Sequence, residues 1–110
     1  MKRFSGFLLF LVLNAGFITS SACASWPEKP IRIVVAAPVG SSVDIVARLL
    51  ADALRKALAQ AIVVDNKPGA GGTLAAAEVA KSPADGYTLF LGFNGPLANA
   101  PSLYTNLAYD

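Results

Sequence analysis

The stretch DNKPGAGGTLAA, from Asp65 to Ala76, decides the fold of this chain. Three glycines fall within four residues, between an apolar run and an alanine-rich one. A glycine-rich loop between a strand and a helix lets backbone N–H groups approach a negatively charged group. It is equally typical of a tight turn and close helix packing. Both interpretations stay open until the neighbouring elements are placed.

Three short runs rich in β-branched or aromatic residues alternate with two helical patterns around this loop. Such runs are typical of buried parallel strands, and the alternation predicts an α/β fold: a partial parallel βαβαβ unit with right-handed crossovers. If the two helices cover opposite faces, the strand order is 2-1-3. The predicted strands are Ile31–Ala37, Ala61–Asp65 and Tyr87–Phe93, and the predicted helices are Val43–Ala59 and Thr73–Lys81. After Gly95 no long periodic stripe remains.

The carboxyl ends of parallel strands meet at one edge of the sheet, where open α/β sheets bind ligands. Two helix N-termini lie at this edge, and their N–H groups and positive dipole ends suit a small carboxylate. We therefore expect three loops to contribute ligand contacts. These are Val39, Gly40, Ser41, Ser42 and Asp44 in the first, Ala70, Gly71, Gly72 and Thr73 in the second, and Phe93 and Asn94 in the third.

The first predicted helix carries an apolar stripe and a capping signal. Ser41 and Asp44 have the spacing of a capping box, so Asp44 either caps the helix or accepts a hydrogen bond from a ligand hydroxyl or amine. The charged residues lie mainly off the stripe, which predicts a solvated face. The stripe consists of Ile45, Val46, Leu49, Leu50, Ala53, Leu54, Ala57 and Leu58.

Several function classes are disfavoured by the residues themselves. No Lys-Ser or Lys-Thr follows the glycines, which excludes a phosphate P-loop, and Leu74 stands where a dinucleotide loop needs its third glycine. The chain has no histidine and one cysteine, so we expect no catalytic triad, no metal site and no cofactor. Its nine basic and seven acidic residues give a net charge of +2, and loss of Lys2 and Arg3 on export would leave seven of each. With no net charge and no basic patch, nucleic-acid binding has no electrostatic support. Lys67, beside the glycines, is expected to be solvated.

The N-terminal segment has the features of a secretory signal peptide. Met1 to Arg3 is basic, Phe4 to Ile18 is almost wholly apolar, and Ala22-Cys23-Ala24 has the pattern of a signal-peptidase site. The apolar run is shorter than the roughly 20 residues that span a bilayer. Cleavage after Ala24 and a periplasmic location are therefore predicted. Lipidation of Cys23 is disfavoured, because Ser20 stands where lipoprotein signals usually have a leucine-like residue.

The chain from about Trp26 to Asp110 resembles the N-terminal part of the Bug-type receptors, the extracytoplasmic solute-binding proteins of tripartite tricarboxylate transporters. The resemblance is carried by WPEKPIRIVV, VGSSVDIVARLLADAL, DNKPGAGGTLAAAEVAKSPADGYTLFLG, PSLY and LAYD. It implies a two-lobed periplasmic receptor, expected to be monomeric and not an enzyme. Such a receptor closes on a small carboxylate and delivers it to integral membrane subunits.

The same resemblance sets expectations about extent and specificity. Residues 1–24 are expected to be the signal peptide and residues 25–110 the N-terminal portion of lobe 1, in a truncated chain without the second lobe. The family usually has Pro-Phe where Ala36-Ala37 stands, a second glycine where Ser41 stands, and a Thr-Ser-like pair where Phe93-Asn94 stands. These departures bear on which acid is bound. A truncated fragment without activity and the front of a Rossmann-like enzyme are the alternatives.

Overall fold

The computed structural model describes residues 25–109. The predicted signal peptide with its cleavage site, residues 1–24, and Asp110 lie outside the described residues. Within the described range, no helix is both long enough and apolar enough to cross a membrane.

Every predicted strand and helix is present, with ends that differ from the prediction by at most two residues. The first strand ends three residues before Pro38. The first helix ends at its C-cap residue Ala59, whose backbone is left-handed (φ 50°). The elements are β1 (Ile31–Val35), α1 (Ser42–Leu58), β2 (Ile62–Asn66), α2 (Thr73–Ala80), β3 (Thr88–Leu91) and α3 (Ala100–Leu103). A 3-10 turn (Ala70–Gly72) precedes α2, and a π-helical turn (Gly95–Asn99) precedes α3.

The sheet has the order β2-β1-β3, and both pairings are parallel. The predicted α/β class and the 2-1-3 order are therefore confirmed. The last residue of β1, Val35, lies opposite Asn66 of β2 and Leu91 of β3. Because all three strands end level with one another, the loops that follow them leave the sheet at one edge.

Strand β1 is buried on both faces, which explains its nearly continuous apolar sequence. On one face Ile33 and Val35 pack against Ala47 and Ala51 of α1. On the other face Val34 packs against Ala75 of α2. The two helices thus cover opposite faces of the sheet, as the 2-1-3 order requires.

The predicted apolar stripe of α1 is wrong in its direction. The small residues Ala47 and Ala51 face the sheet, together with Val43, Leu54 and Leu58. Three members of the stripe are largely exposed: Ile45 (54%), Val46 (54%) and Leu49 (66%). The apolar positions of this helix extend over more than one face, so periodicity alone could not select the face that packs closest to the sheet.

The segment after Gly95 folds into two short helical turns that the sequence pattern did not predict. Pro96 and Pro101 stand in the first turns of these pieces, where a missing N–H is tolerated. Tyr109 Oη donates a hydrogen bond of 2.6 Å to Pro96 O, which ties the end of the described chain back to the π-helical turn.

Candidate functional site

The carboxyl edge of the sheet gathers the three predicted loops. Lys67 N donates to Val35 O (2.8 Å) and Ala36 N donates to Leu91 O (3.1 Å), so parallel pairing continues just past the strands. The prediction that the loops Gly40–Asp44 and Ala70–Thr73 leave the same edge of the sheet is thus confirmed. We call this edge, with its three loops, the rim.

The first loop is built around the carboxylate of Asp44, which is 2% exposed. Its Oδ2 accepts from Gly40 N (2.8 Å) and Arg48 Nε (3.0 Å), and its Oδ1 accepts from Asn66 Nδ2 (2.9 Å). Ser41 Oγ in turn accepts from Asp44 N at 3.3 Å. The hydrogen bond from Asp44 N to Ser41 Oγ confirms the serine half of the predicted capping box. The motif would also have the Asp44 carboxylate accept from Ser41 N, but it accepts from Gly40 N, one residue earlier.

This network fixes the charge state of Asp44. The hydrogen bond from Arg48, followed by those from Gly40 and Asn66, lowers the pKa of Asp44 from 3.8 to about 2. The carboxylate is therefore ionised at neutral pH, and its charge is matched by Arg48. The Arg48 side chain is 51% exposed, in agreement with the predicted solvated face, and it also joins this network.

Asn66 connects the first loop to the neighbouring strand. Its Nδ2 also donates to Ala37 O at 3.0 Å, and its Oδ1 accepts from Arg48 Nη2 at 3.4 Å. Asn66 was not among the predicted site residues. The available signal was its place directly after the second apolar run, since the 2-1-3 order puts that position beside the end of β1.

The N-terminus of α1 offers backbone donors to the solvent at the rim. Ser42 N and Val43 N lie in the first turn of α1, where N–H groups lack a carbonyl partner four residues earlier in the helix, and residues 25–109 show no hydrogen bond from either. Val39, just before them, is 71% exposed. This end of the helix can therefore donate hydrogen bonds to an anion, with the positive end of the dipole behind them.

The glycine-rich loop runs through four successive residues with positive φ: Gly69 (132°), Ala70 (47°), Gly71 (64°) and Gly72 (91°). Gly72 N donates to Gly69 O at 2.8 Å, and Thr73 Oγ1 donates to Ala70 O at 2.8 Å. Because Thr73 N also donates to Ala70 O, part of the donor set is used by the turn itself.

Gly71 and Gly72 play different structural parts in this loop. A Cβ on Gly72 would lie 2.9 Å from Pro96 Cγ and 3.2 Å from Ala36 Cβ, whereas a Cβ on Gly71 would meet nothing within 4 Å. Gly72 is thus needed for close packing, as one of the two interpretations of the motif required. Gly71 is exposed at the rim and leaves the second interpretation open.

Two cavities lie at the rim, on different sides of the sheet. One, of about 250 Å³, is lined by Ser42, Val43 and Val46 of α1 together with Leu91 and Gly92. The other, of about 120 Å³, lies beside the glycine-rich loop and is lined by Ala70, Gly71, Thr73, Gly95, Asn99, Ala100, Leu103 and Tyr104. The described residues therefore bring the two helix N-termini to one edge but not into one cavity.

The third predicted loop, Phe93 and Asn94, joins these cavities along the chain, since Gly92 lines the first and Gly95 the second. Both residues are exposed. The cavity residues Gly95, Asn99 and Tyr104 were not predicted, because the segment after Gly95 carries no periodic signal.

A cluster of four charged residues stabilises the glycine-rich loop from outside the rim. Arg32 Nη1 lies 3.0 Å from Asp65 Oδ2 and 2.8 Å from Glu78 Oε1, and Lys67 Nζ lies 3.6 Å from Glu78 Oε2. The hydrogen bond from Arg32 lowers the pKa of Glu78 below its usual value. Lys67 is solvated as expected, with its side chain 43% exposed, and it is also ion-paired. The cluster joins β1, β2 and α2.

Two of the motifs that carry the family resemblance, WPEKP and ADGY, meet at the opposite edge of the sheet. The rings of Trp26 and Tyr87 lie 6.0 Å apart, and Tyr87 Oη accepts from Glu28 N at 2.9 Å. Asp85 Oδ1 accepts from Tyr87 N, which shapes the turn before β3. These motif residues hold the lead-in segment and lie away from the rim.

Comparison with known proteins identifies the family of this parallel α/β unit and its rim loops. Residues 46–110 match the family model described as tripartite tricarboxylate transporter family receptor. A relative from Bordetella bronchiseptica, a protein of the UPF0065 group, is 50% identical over 94% of this chain, and the chain spans 31% of its length.

Two solved structures from Rhodopseudomonas palustris share the fold. Rpa4515, solved with adipate, has a TM-score of 0.73 at 40% identity and matches 77% of this chain and 28% of its own. MatC, solved with bound malate, has a TM-score of 0.71 at 42% identity and matches 76% of this chain and 29% of its own.

The class defined by these findings is that of the periplasmic solute-binding receptors, which is not a class of enzymes. Within it, the chain belongs to the tripartite tricarboxylate transporter receptor family. It spans about a third of the length of the curated relatives that it matches.

Proposed function

We propose that this chain acts in the extracytoplasmic solute-binding receptor of a tripartite tricarboxylate transporter, and that its rim captures a small carboxylate. The observation that carries the proposal is the N-terminus of α1, where residues 25–109 show no hydrogen bond from Ser42 N or Val43 N. These donors lie beside a cavity of about 250 Å³.

Capture without a charged side chain follows from the electrostatics of the rim. The acidic group closest to the α1 N-terminus, Asp44, is buried and paired with Arg48, so it does not present a free negative charge to an incoming anion. Backbone N–H groups and the helix dipole then provide the attraction, each at a modest energy. The bound adipate and malate of the two relatives are carboxylates of this kind.

The wider role is proposed from the family. Residues 25–110 form part of the first lobe of the receptor, residues 1–24 direct export to the periplasm, and integral membrane subunits receive the ligand. A closing receptor removes its ligand from water between two lobes, and one rim by itself competes with full hydration of the carboxylate. We therefore expect this chain alone to bind carboxylates in the millimolar range, roughly −4 kcal/mol.

A pair of substitutions at Ser42 tests whether the backbone donor binds the ligand. Ser42→Pro removes the N–H at the first helical position, where proline is well tolerated. Ser41 already has the extended backbone (φ −71°, ψ 163°) that a following proline requires. Ser42→Ala is the matched control, because it keeps the N–H and removes only the hydroxyl group.

The measurement is a calorimetric titration of the purified chain and both variants with adipate and malate in large excess. We expect millimolar binding by the unchanged chain, a loss of about tenfold for Ser42→Pro, and little change for Ser42→Ala. Equal binding by the proline variant would contradict a role for this donor. Micromolar binding by the unchanged chain would contradict the need for a second lobe.

A further inference from the structure

The exposed residue Phe93 stands between the two rim cavities. Gly92 before it lines the cavity at α1, and Gly95 after it lines the cavity at the glycine-rich loop. Phe93 is 39% exposed, so part of its aromatic ring is open to a ligand near the α1 N-terminus. A ligand held at either helix N-terminus would have this ring as a neighbour along the chain.

The ring is also close to the glycine-rich loop in space. A Cβ placed on Gly95 would lie 2.6 Å from Phe93 Cε2 and 2.8 Å from Gly71 O. The ring edge and the Gly71 carbonyl oxygen therefore border the same narrow gap above Gly95. Phe93 does not itself line either rim cavity, but its ring borders Gly71 and Gly95, which line the smaller one. The ring therefore forms an aromatic wall at the edge of that cavity.

The described residues give this wall no charged companion. None of the residues that line the two rim cavities is charged. The cations nearest in sequence to the helix N-termini at the two cavities are ion-paired elsewhere, Arg48 with Asp44 and Lys67 with Glu78. Backbone donors and the polar side chains of Thr73, Asn99 and Tyr104 can meet a carboxylate at the smaller cavity. The part of the ligand that lies against Phe93, however, would face an aromatic surface that offers a hydroxyl group no hydrogen bond.

We propose that Phe93 makes this site selective for carboxylates with an aliphatic or aromatic body over short hydroxylated acids. The inference rests on the proposed function, because it assigns a ligand class to the same rim. The contact between the ring and an apolar ligand body buries carbon surface from both partners. Burial of about two methylene groups corresponds to roughly a tenfold gain in affinity.

Saturation-transfer difference NMR on the purified chain tests this selectivity, since the method detects millimolar binding. The probes are adipate, benzoate and malate, each titrated separately. The variants are Phe93→Thr, which removes the apolar surface, and Phe93→Leu, which keeps it. The matched control is Leu89→Thr, because Leu89 has nearly the same exposure (38%) but lies inside β3 and not on a rim loop.

We expect the unchanged chain to bind adipate and benzoate about tenfold more tightly than malate. Phe93→Thr should bring this ratio close to one, whereas Phe93→Leu and Leu89→Thr should preserve most of it. A ratio unchanged by Phe93→Thr, or a preference of the unchanged chain for malate, would overturn the inference while leaving carboxylate capture intact. Binding of none of the three acids would overturn the proposed function as well.

Discussion

The two adjacent glycines of the rim make a matched pair for a stability experiment. Gly71 and Gly72 both have positive φ, 64° and 91°, but only Gly72 is packed closely. In Gly71→Ala the new methyl group meets open space, so the cost is the left-handed backbone alone, about 1–2 kcal/mol. In Gly72→Ala the methyl group also meets the rigid ring of Pro96 at 2.9 Å and the buried Ala36 at 3.2 Å.

Overpacking of this kind typically costs about 1–3 kcal/mol in addition to the backbone strain. We therefore expect Gly72→Ala to lower the free energy of unfolding by about 2–5 kcal/mol, and Gly71→Ala by about 1–2 kcal/mol. Folded domains have about 5–15 kcal/mol in all, and a chain of this size lies near the lower end. The Gly72 variant should thus lose most or all of its cooperative transition.

Urea denaturation followed by far-ultraviolet circular dichroism measures both variants. The double variant Gly72→Ala/Pro96→Ala provides the control, because removal of the proline ring should restore part of the loss if steric contact causes it. Equal destabilisation by the two single variants, or no recovery in the double variant, would refute the packing role of Gly72.

Three further predictions concern other parts of the chain. Asp44 has a folded-state pKa of about 2 against 3.8 ordinarily, so its stabilising effect is present above pH 3.8 and is lost as the pH falls toward 2. In Asp44→Asn this acid-dependent part of the unfolding curve should disappear, and an unchanged acid limb would contradict the network. Tyr87→Ala removes the ring beside Trp26, so the fluorescence of this single tryptophan should shift to longer wavelength; an unshifted spectrum would show that the contact is absent in solution. Mass spectrometry of periplasmic material should find Ser25 as the first residue, and a diacylglyceryl group on Cys23 would reverse that prediction.

The sequence predicted the sheet correctly because each strand is formed by a short local run of mostly apolar residues. β1 illustrates this: residues Ile31 to Val35 are apolar at nearly every position, so burial on both faces could be read from the run itself. The order 2-1-3 followed from the alternation of strands and helices and from the handedness of crossovers.

The network around Asp44 could be predicted only in its local half. Ser41 and Asp44 are three residues apart, and that spacing is a motif. Asn66 reaches the same carboxylate from 22 residues further along the chain, and no local pattern encodes such a contact. The ion pairs of Arg32 are of the same kind, since they depend on the pairing of β1 with β2 and on the position of α2.

Two features could not be predicted, each for its own reason. They are the face of α1 that packs against the sheet and the fold after Gly95. In α1 two alanines take the position closest to the sheet, where a small side chain allows the helix to approach, while larger residues remain exposed. After Gly95 the turns depend on Pro96 packing against Gly72 and on Tyr109 bonding back to Pro96. Both contacts arise only once the rim is formed.

The most direct measurement is a ¹⁵N–¹H correlation NMR titration of the isotope-labelled chain with adipate and malate. Capture at the rim predicts that the amide signals of Ser42, Val43 and Gly71 move progressively with ligand concentration. The signals of Gly86 and Tyr87, at the opposite edge of the sheet, should remain in place. Shifts concentrated at that opposite edge, or unmoved rim amides at ligand concentrations well above the millimolar range, would contradict carboxylate capture by these loops.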